Sequence, residues 1–432
     1  MALPRDDEML SLGPWPGGIH NVPAEEQVAI AALRAAVNVD IGADVIRRRK
    51  GATLTLAATR PRSLWGNGTL AFYAEGTAFK QFDGTAASTV GTVHPCNRVV
   101  YAEAGFHIYF SDGATLQRYN GLTQDVESAG VPAPYGSPAL AASANGGMTA
   151  GTYQVALTYL TQDGEESGAL LAGSVEVAEG QGITLTAIPQ PLDPRVYSVA
   201  IYITPPNGEM LQFRVAVLVG VTSYTVGATY KLGRPLQTQF LAPLPAGQCL
   251  AYANGRLWSA AADVLYFSEP LVYGQCAPEK NLIMFPASID LVLPLRERGL
   301  FVACGKRTYY IDGADPYKAA LRAVYPAGAV QGVFVQAPPD AFDPELNLGT
   351  GDVPMWLANN GRILIGLPDG SVKEISGSKF AANRDSLPGA AMFRDQDSLK
   401  QFVASTKGGV VSGARASDSV TVTVIRNGIE VS

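Results

Sequence analysis

Apolar and polar positions alternate along much of this chain, in short runs punctuated by Gly, Asn and Asp. The clearest instance covers residues 68–84 and recurs at 105–121. Looser copies cover 254–268, 299–313 and 360–375. Each reads turn, β-rich run, turn, alternating run. Gly, Asn and Asp accommodate the positive φ of tight turns, while Val, Ile, Phe and Tyr suit a pleated, half-buried surface. A lone hairpin leaves its apolar face uncovered, so several must pack side by side.

The spacing of the copies predicts how. Gly68 and Gly105 are 37 residues apart, the length of one propeller blade with its loops (roughly 40 residues). Gly105 and Gly255 are 150 apart, but taking out a separate module at 132–245 restores the period. The pattern therefore predicts an all-β chain: a β-propeller of about five blades with an inserted fibronectin-III-like β-sandwich. The chain would open with an N-terminal arm carrying a short helix and strand (1–51), followed by a first propeller segment (52–131). The sandwich (132–245) comes next, and then a second propeller segment that ends in a closing strand (246–432).

Smaller features complete the map. Residues 1–20, rich in Pro and Gly and carrying Trp15, read as an arm lying on something. Residues 25–36 are the one helical stretch, with Val28, Leu33 and Ala36 able to share a face. A short strand at 37–41 and a turn lead to the basic run Arg47, Arg48, Arg49 and Lys50. The Pro-rich stretch 131–138 marks a domain boundary. About seven short runs between 151 and 226 suit a sandwich. The segment 337–349 reads as a long structureless loop of the kind that is often functional. The alternating run 419–425 suits a strand that closes the propeller by pairing with a blade from the N-terminal region.

Composition narrows the function. With 432 residues, Gly 46 and Pro 29, the chain fits two or three turn-rich β domains. Charged residues are only 16%, which points to a surface given over to protein–protein contact. A net charge of −6 argues against a dedicated nucleic-acid binder. Cys96, Cys249, Cys276 and Cys304 form no C-x-x-C, so reduced thiols in a protein folded in the cytoplasm are expected. The N-terminus lacks the pattern of a signal peptide, and no apolar run is long enough to span a membrane.

Catalytic patterns are sparse. His20, His94 and His107 show no metal-ligand spacing, and no nucleophile elbow, Walker loop or dinucleotide fingerprint occurs. Asp112, Asp312 and Asp369 each precede glycine in a repeated hairpin; Asp-Gly is a turn pair, which explains all three without a glycosidase dyad. Glu165 and Glu166, at a sandwich turn, read as solvated. The sequence predicts neither enzymatic activity nor a cofactor.

Two blocks of residues carry a family resemblance. Residues 17–21 (Gly-Gly-Ile-His-Asn), 33–41 and 47–51 resemble the opening of tail proteins of tailed bacteriophages. Residues 254–258 (Asn-Gly-Arg-Leu-Trp), 264–268, 282–286, Ile289-Asp290 and 308–312 are similar to the propeller core of the nozzle, or tail tubular B, proteins of short-tailed phages. Together they cover about a quarter of the chain, and neither carries chemistry. The resemblance implies a structural subunit of the virion tail, assembled in the host cytoplasm. It would form a homohexameric ring below portal and adaptor, contact tail fibres or spikes, and pass genomic DNA through its lumen without sequence-specific binding. Trp15 and Arg47–Lys50 are the candidate partner-interface residues. An alternative is a carbohydrate-binding or receptor-binding propeller at the tail tip, which an aromatic-rich pocket with two close carboxylates would favour.

Overall fold

The computed structural model describes residues 18–29, 31–36, 39–41, 46–48, 54–144, 146–228, 232–296, 298–313, 315–382, 388–396, 399–406, 420–426 and 429–431. Among these the architecture is all-β. Six four-stranded antiparallel sheets are built from strands in sequence order, the third passing over the short strand Gln275–Cys276. The first comprises Arg62–Gly66, Ala71–Glu75, Ala78–Phe82 and Ala87–Thr92. The second comprises Val100–Ala104, His107–Ser111, Leu116–Asn120 and Val126–Ser128. The third holds Cys249–Ala253, Arg256–Ala261, Val264–Phe267 and Leu282–Met284, and the fourth Ile289–Leu295, Gly299–Cys304, Arg307–Asp312 and Ala320–Tyr325. The fifth holds Ala329–Ala337, Val353–Ala358, Ile363–Gly366 and Val372–Glu374, and the sixth Gly389–Gln396, Leu399–Thr406, Val420–Arg426 and Ile429–Val431.

The repeated phrase of the sequence is the middle hairpin of the first four sheets and the outer hairpin of the fifth. Its turns use glycine where the backbone demands it: Gly105 sits at φ 63° and Gly255 at φ 68°, in the left-handed region open to a residue without Cβ. The sixth sheet lies beyond the repeats that the sequence displays.

Between the second and third sheets run seven strands in two sheets. One holds Ala139–Ser143, Gly182–Thr186 and Ser223–Val226, and the other Leu170–Val177, Gly151–Thr161, Val196–Ile203 and Gln212–Leu218, each in spatial order. Tyr153, Val155, Leu157, Val199 and Ile201 of the second face Ile183, Leu185 and Val226 of the first in one core, the arrangement of a β-sandwich.

The chain divides into two compact units. In the one holding Leu64–Gln81 and Ser88–Met284, Phe72 and Phe79 of the first sheet pack on Ile108, Phe110 and Tyr119 of the second, with the Phe79 and Phe110 rings stacked 4.1 Å apart. Ala102, Tyr109 and Leu116 of the second sheet meet Leu250 and Leu257 of the third. In the other unit, Leu291, Leu293, Phe301 and Tyr310 of the fourth sheet pack on Trp356 and Leu364 of the fifth. Gly366 keeps that seam close, since a Cβ there would stand 2.2 Å from the Phe301 ring. Val333, Met355 and Ile363 of the fifth sheet then cover Phe402 and Ala404 of the sixth.

Three expectations need correction. Residues 25–36 do not form a helix: only Glu25–Gln27 makes a 3₁₀ turn, with no buried residue and no side-chain cap at Ala24. Leu33 is instead bridged in parallel to Ile19: its amide donates to the Gly18 carbonyl at 2.7 Å and its carbonyl accepts the His20 amide at 2.8 Å, so tertiary pairing overrides the helical spacing. The strand at Val420–Arg426 pairs with its sequence neighbours 399–406 and 429–431, not with the N-terminal region. Among the described residues no strand of residues 60–120 pairs with one beyond 250. The segment 337–349 is not structureless. Two 3₁₀ turns, Pro339–Ala341 and Pro344–Leu346, build it, Ala341, Phe342 and Leu348 are buried in the core, and Arg296 donates to the Leu348 carbonyl at 2.6 Å.

Candidate functional site

The densest polar constellation in the described residues lies where the second sheet meets the sandwich, inside one compact unit. Arg118 sits mid-strand, opposite Glu127 in the ladder, and its side chain is 1% exposed. Its Nε donates to Glu127 Oε2 at 2.9 Å, its Nη2 to Asp163 Oδ2 at 2.9 Å, and its Nη1 to Glu165 Oε1. The two acids arrive on a sandwich turn that Thr161 shapes: its hydroxyl bonds Asp163 and accepts the Glu165 amide at 2.9 Å. Arg195 extends the network, with Nη1 3.3 Å from Glu165 and 3.5 Å from Glu127 and Nη2 2.7 Å from Asp193. Two guanidiniums thus hold four carboxylates.

Glu165 and Glu166 are therefore not solvated. Glu166 Oε1 accepts from the Thr158 and Tyr202 hydroxyls, each at 2.7 Å, and its Oε2 pairs with Arg234 at 2.6 Å. The turn is pulled inward because a buried arginine and a buried tyrosine each need a partner.

The electrostatics follow the burial. Loss of water pushes the Glu165 carboxyl up even with Arg118 against it. Burial works against ionised Asp163 too, but hydrogen bonds from Thr161 and Arg118 outweigh it and hold that carboxyl below the usual range. Arg118 loses hydration yet is held more firmly as a cation by Glu165, Tyr109 and Glu127. His107 is pushed down by burial and then by Arg118, and its Nδ1 has no hydrogen-bond partner. With acceptor positions turned to guanidiniums, the arrangement fixes two elements against each other; it does not present a free acid–base pair.

The interface residues expected from sequence fall elsewhere. Trp15, Arg49 and Lys50 lie outside the described residues. Arg47 and Arg48 belong to the strand Ile46–Arg48, paired with Val39–Ile41, and Arg48 is exposed. Asp112 serves its turn: its carboxylate accepts the amides of His94, Ala114 and Thr115 at 2.7–2.9 Å. Asp369 likewise accepts the Ser371 amide at 2.9 Å, and Asp312 ends its strand opposite Gly299. His94 Nδ1 accepts the Cys96 amide. Among the described residues no group of three His, Cys, Asp or Glu is placed to hold a metal ion. Cys96 is exposed, Cys249, Cys276 and Cys304 are buried, and all are free thiols. Among the described residues no helix is long and apolar enough to cross a membrane.

Sequence reasoning missed the Arg118 network. Its signal was an arginine two residues after Leu116 on a buried strand, and a turn carrying Asp163, Glu165 and Glu166 together. In the other unit, Pro339, Asp340, Phe342, Asp343, Pro344 and Asn347 line an open cleft of about 460 Å³. Phe342 is itself buried and Asp340 is paired with Lys400.

No protein-family model matches the sequence, and no curated protein matches it. Among solved structures, the chain is similar to Citrobacter koseri AztD at 11% identity, covering 89% of each chain with a TM-score of 0.35. It is similar to BBS1N in complex with ARL6DN at 11% identity, covering 83% of this chain and 96% of that one with a TM-score of 0.33. For Kluyveromyces lactis Hsv2 the identity is 7%, the coverage 82% and 94%, and the TM-score 0.28. Likeness this weak bears on neither function nor partner.

Proposed function

We propose that this protein is a structural subunit of a bacteriophage tail, the nozzle or hub ring below portal and adaptor, retaining packaged DNA and passing it out. In this reading the small sheets are blades of one β-propeller, and the 139–226 sandwich is the fibronectin-III-like module inserted into it. The observation that carries the reading is the sequence resemblance of residues 17–51 and 254–312 to such proteins. In support, the second block falls on framework: Asn254 takes φ 53° in a hairpin turn, and the Ser268 hydroxyl accepts the Leu257 amide at 3.0 Å. An acidic chain suits a conduit, because a basic lumen would hold passing phosphates. Trp15 and the run Arg47–Lys50 are the residues assigned to contacts with ring neighbours or the adaptor.

Native mass spectrometry and virion labelling test the proposal. The expected result is a closed ring of six 45.4-kDa chains, formed alone or on a portal–adaptor complex and present in virions. A chain that stays monomeric in both settings and is missing from virions overturns it. The tail-tip reading has one observation in its favour, the open cleft at 339–349. Saturable binding of a host-surface polysaccharide, lost in Asp343→Ala, would place it ahead.

A further inference from the structure

Among the described residues, three ties join the sandwich to the rest of its unit. The first is a crossing of backbones. Gly130 on the entry segment passes Gly274 so closely that a Cβ on Gly130 would stand 2.2 Å from the Gly274 carbonyl oxygen, and a Cβ on Gly274 1.8 Å from that of Ala129. The second holds the exit segment to the same loop. Ala242–Pro243 pairs with Gln275–Cys276, and the Leu244 amide donates to the Gly274 carbonyl at 2.9 Å. Gln275, 1% exposed, also donates its side-chain amide to the Val131 carbonyl at 2.7 Å. The third tie is the Arg118 network, which grips the turn at 163–165 from the second sheet and reaches Gly130 through Arg195.

Two linkers joining one module to a neighbour form a hinge when they are free, and relative motion is the default for such pairs. Here both linkers are bonded to one loop of the third sheet, and the network clasps the module at a point off the linker axis. A hinge needs a free rotation about its linkers, and the third contact removes it. The linker ties alone fix position; Arg118 fixes angle.

We propose that the sandwich is a rigid bracket on the second and third sheets, with Arg118 as the positioning residue that locks its angle and the Gly130–Gly274 crossing as the pivot beneath it. A load or ligand on the sandwich is then transmitted to those sheets and not absorbed in the linkers. The inference is independent of what the protein assembles with.

Hydrogen exchange of the full chain, read by mass spectrometry, tests it in Arg118→Met and Gly274→Ala. Segments 129–135 and 241–246 are expected to exchange at least about ten-fold faster, as local opening of a tie allows, while strands Gly151–Thr161 and Val196–Ile203 keep their protection. Glu165→Gln, which keeps the shape of the turn, shows the same pattern more weakly and serves if Arg118→Met does not fold. Unchanged linker exchange in all variants that fold overturns the proposal. So does loss of protection in the sandwich strands together with the linkers, since Arg118 would then support the fold and not the angle.

Discussion

Glu165 shows how one residue's environment becomes a property of the fold. Its carboxyl is raised by burial, so the folded state binds its proton at a pH where the unfolded chain, near about 4.3, has released it. Stability then falls as pH rises through that window and recovers as pH falls back. Asp163, with its carboxyl lowered, works the other way: its contribution is present above the ordinary Asp value of about 3.9 and is lost below it. Thermal melts across pH 4 to 7 are expected to show a gain on acidification in the wild type that Glu165→Gln lacks; parallel curves would refute this assignment. Asp112 is a second case, accepting three backbone amides from a nearly buried position. Asp112→Ala leaves those donors unpaired, at about 1–3 kcal/mol, and Asp112→Asn retains some of the difference. Equal denaturation midpoints for the two variants would show that the turn does not depend on the carboxylate.

At the scale of elements, the hairpins were legible because a strand pair writes itself locally, in alternation and turn residues. What the sequence hid is anything whose cause is a distant neighbour. The stretch 25–36 has helical spacing, yet Ile19 captures Leu33 into a parallel bridge. The Glu165 turn looks solvated until Arg118, 47 positions earlier, is brought beside it. Asn21, in sequence no more than one residue of the family resemblance, clamps the N-terminal segment to residues after the fifth sheet. Its Nδ2 donates to the Ala381 carbonyl and its Oδ1 accepts the Ala381 amide, both at 2.9 Å. Asn21→Ala removes both bonds, so faster exchange at the Ala381 amide is expected, with a stability loss of about 1–3 kcal/mol. Unaltered exchange there would mean that the other contacts of residues 18–22 hold the segment alone.

For the whole molecule, the repeat spacing anticipated many small antiparallel sheets, while the sixth sheet escaped because its strands carry no copy of the repeated phrase. The local ladders of the six sheets outside the sandwich have a consequence in time. Each of these sheets closes its ladders over strands near in sequence, so each can form soon after its residues leave the ribosome, the N-terminal sheets first. The Arg118 guanidinium cannot follow that schedule. When the second sheet forms, only Glu127 of its three acidic partners has been synthesised, and the side chain must stay hydrated until residues 163 and 165 emerge. Tie and pivot also mature apart, since Gly130 waits for Gly274. The second sheet is therefore an unfinished surface for the whole time the ribosome takes to make the sandwich, and that interval is when a chaperone or a misplaced neighbour would find it open.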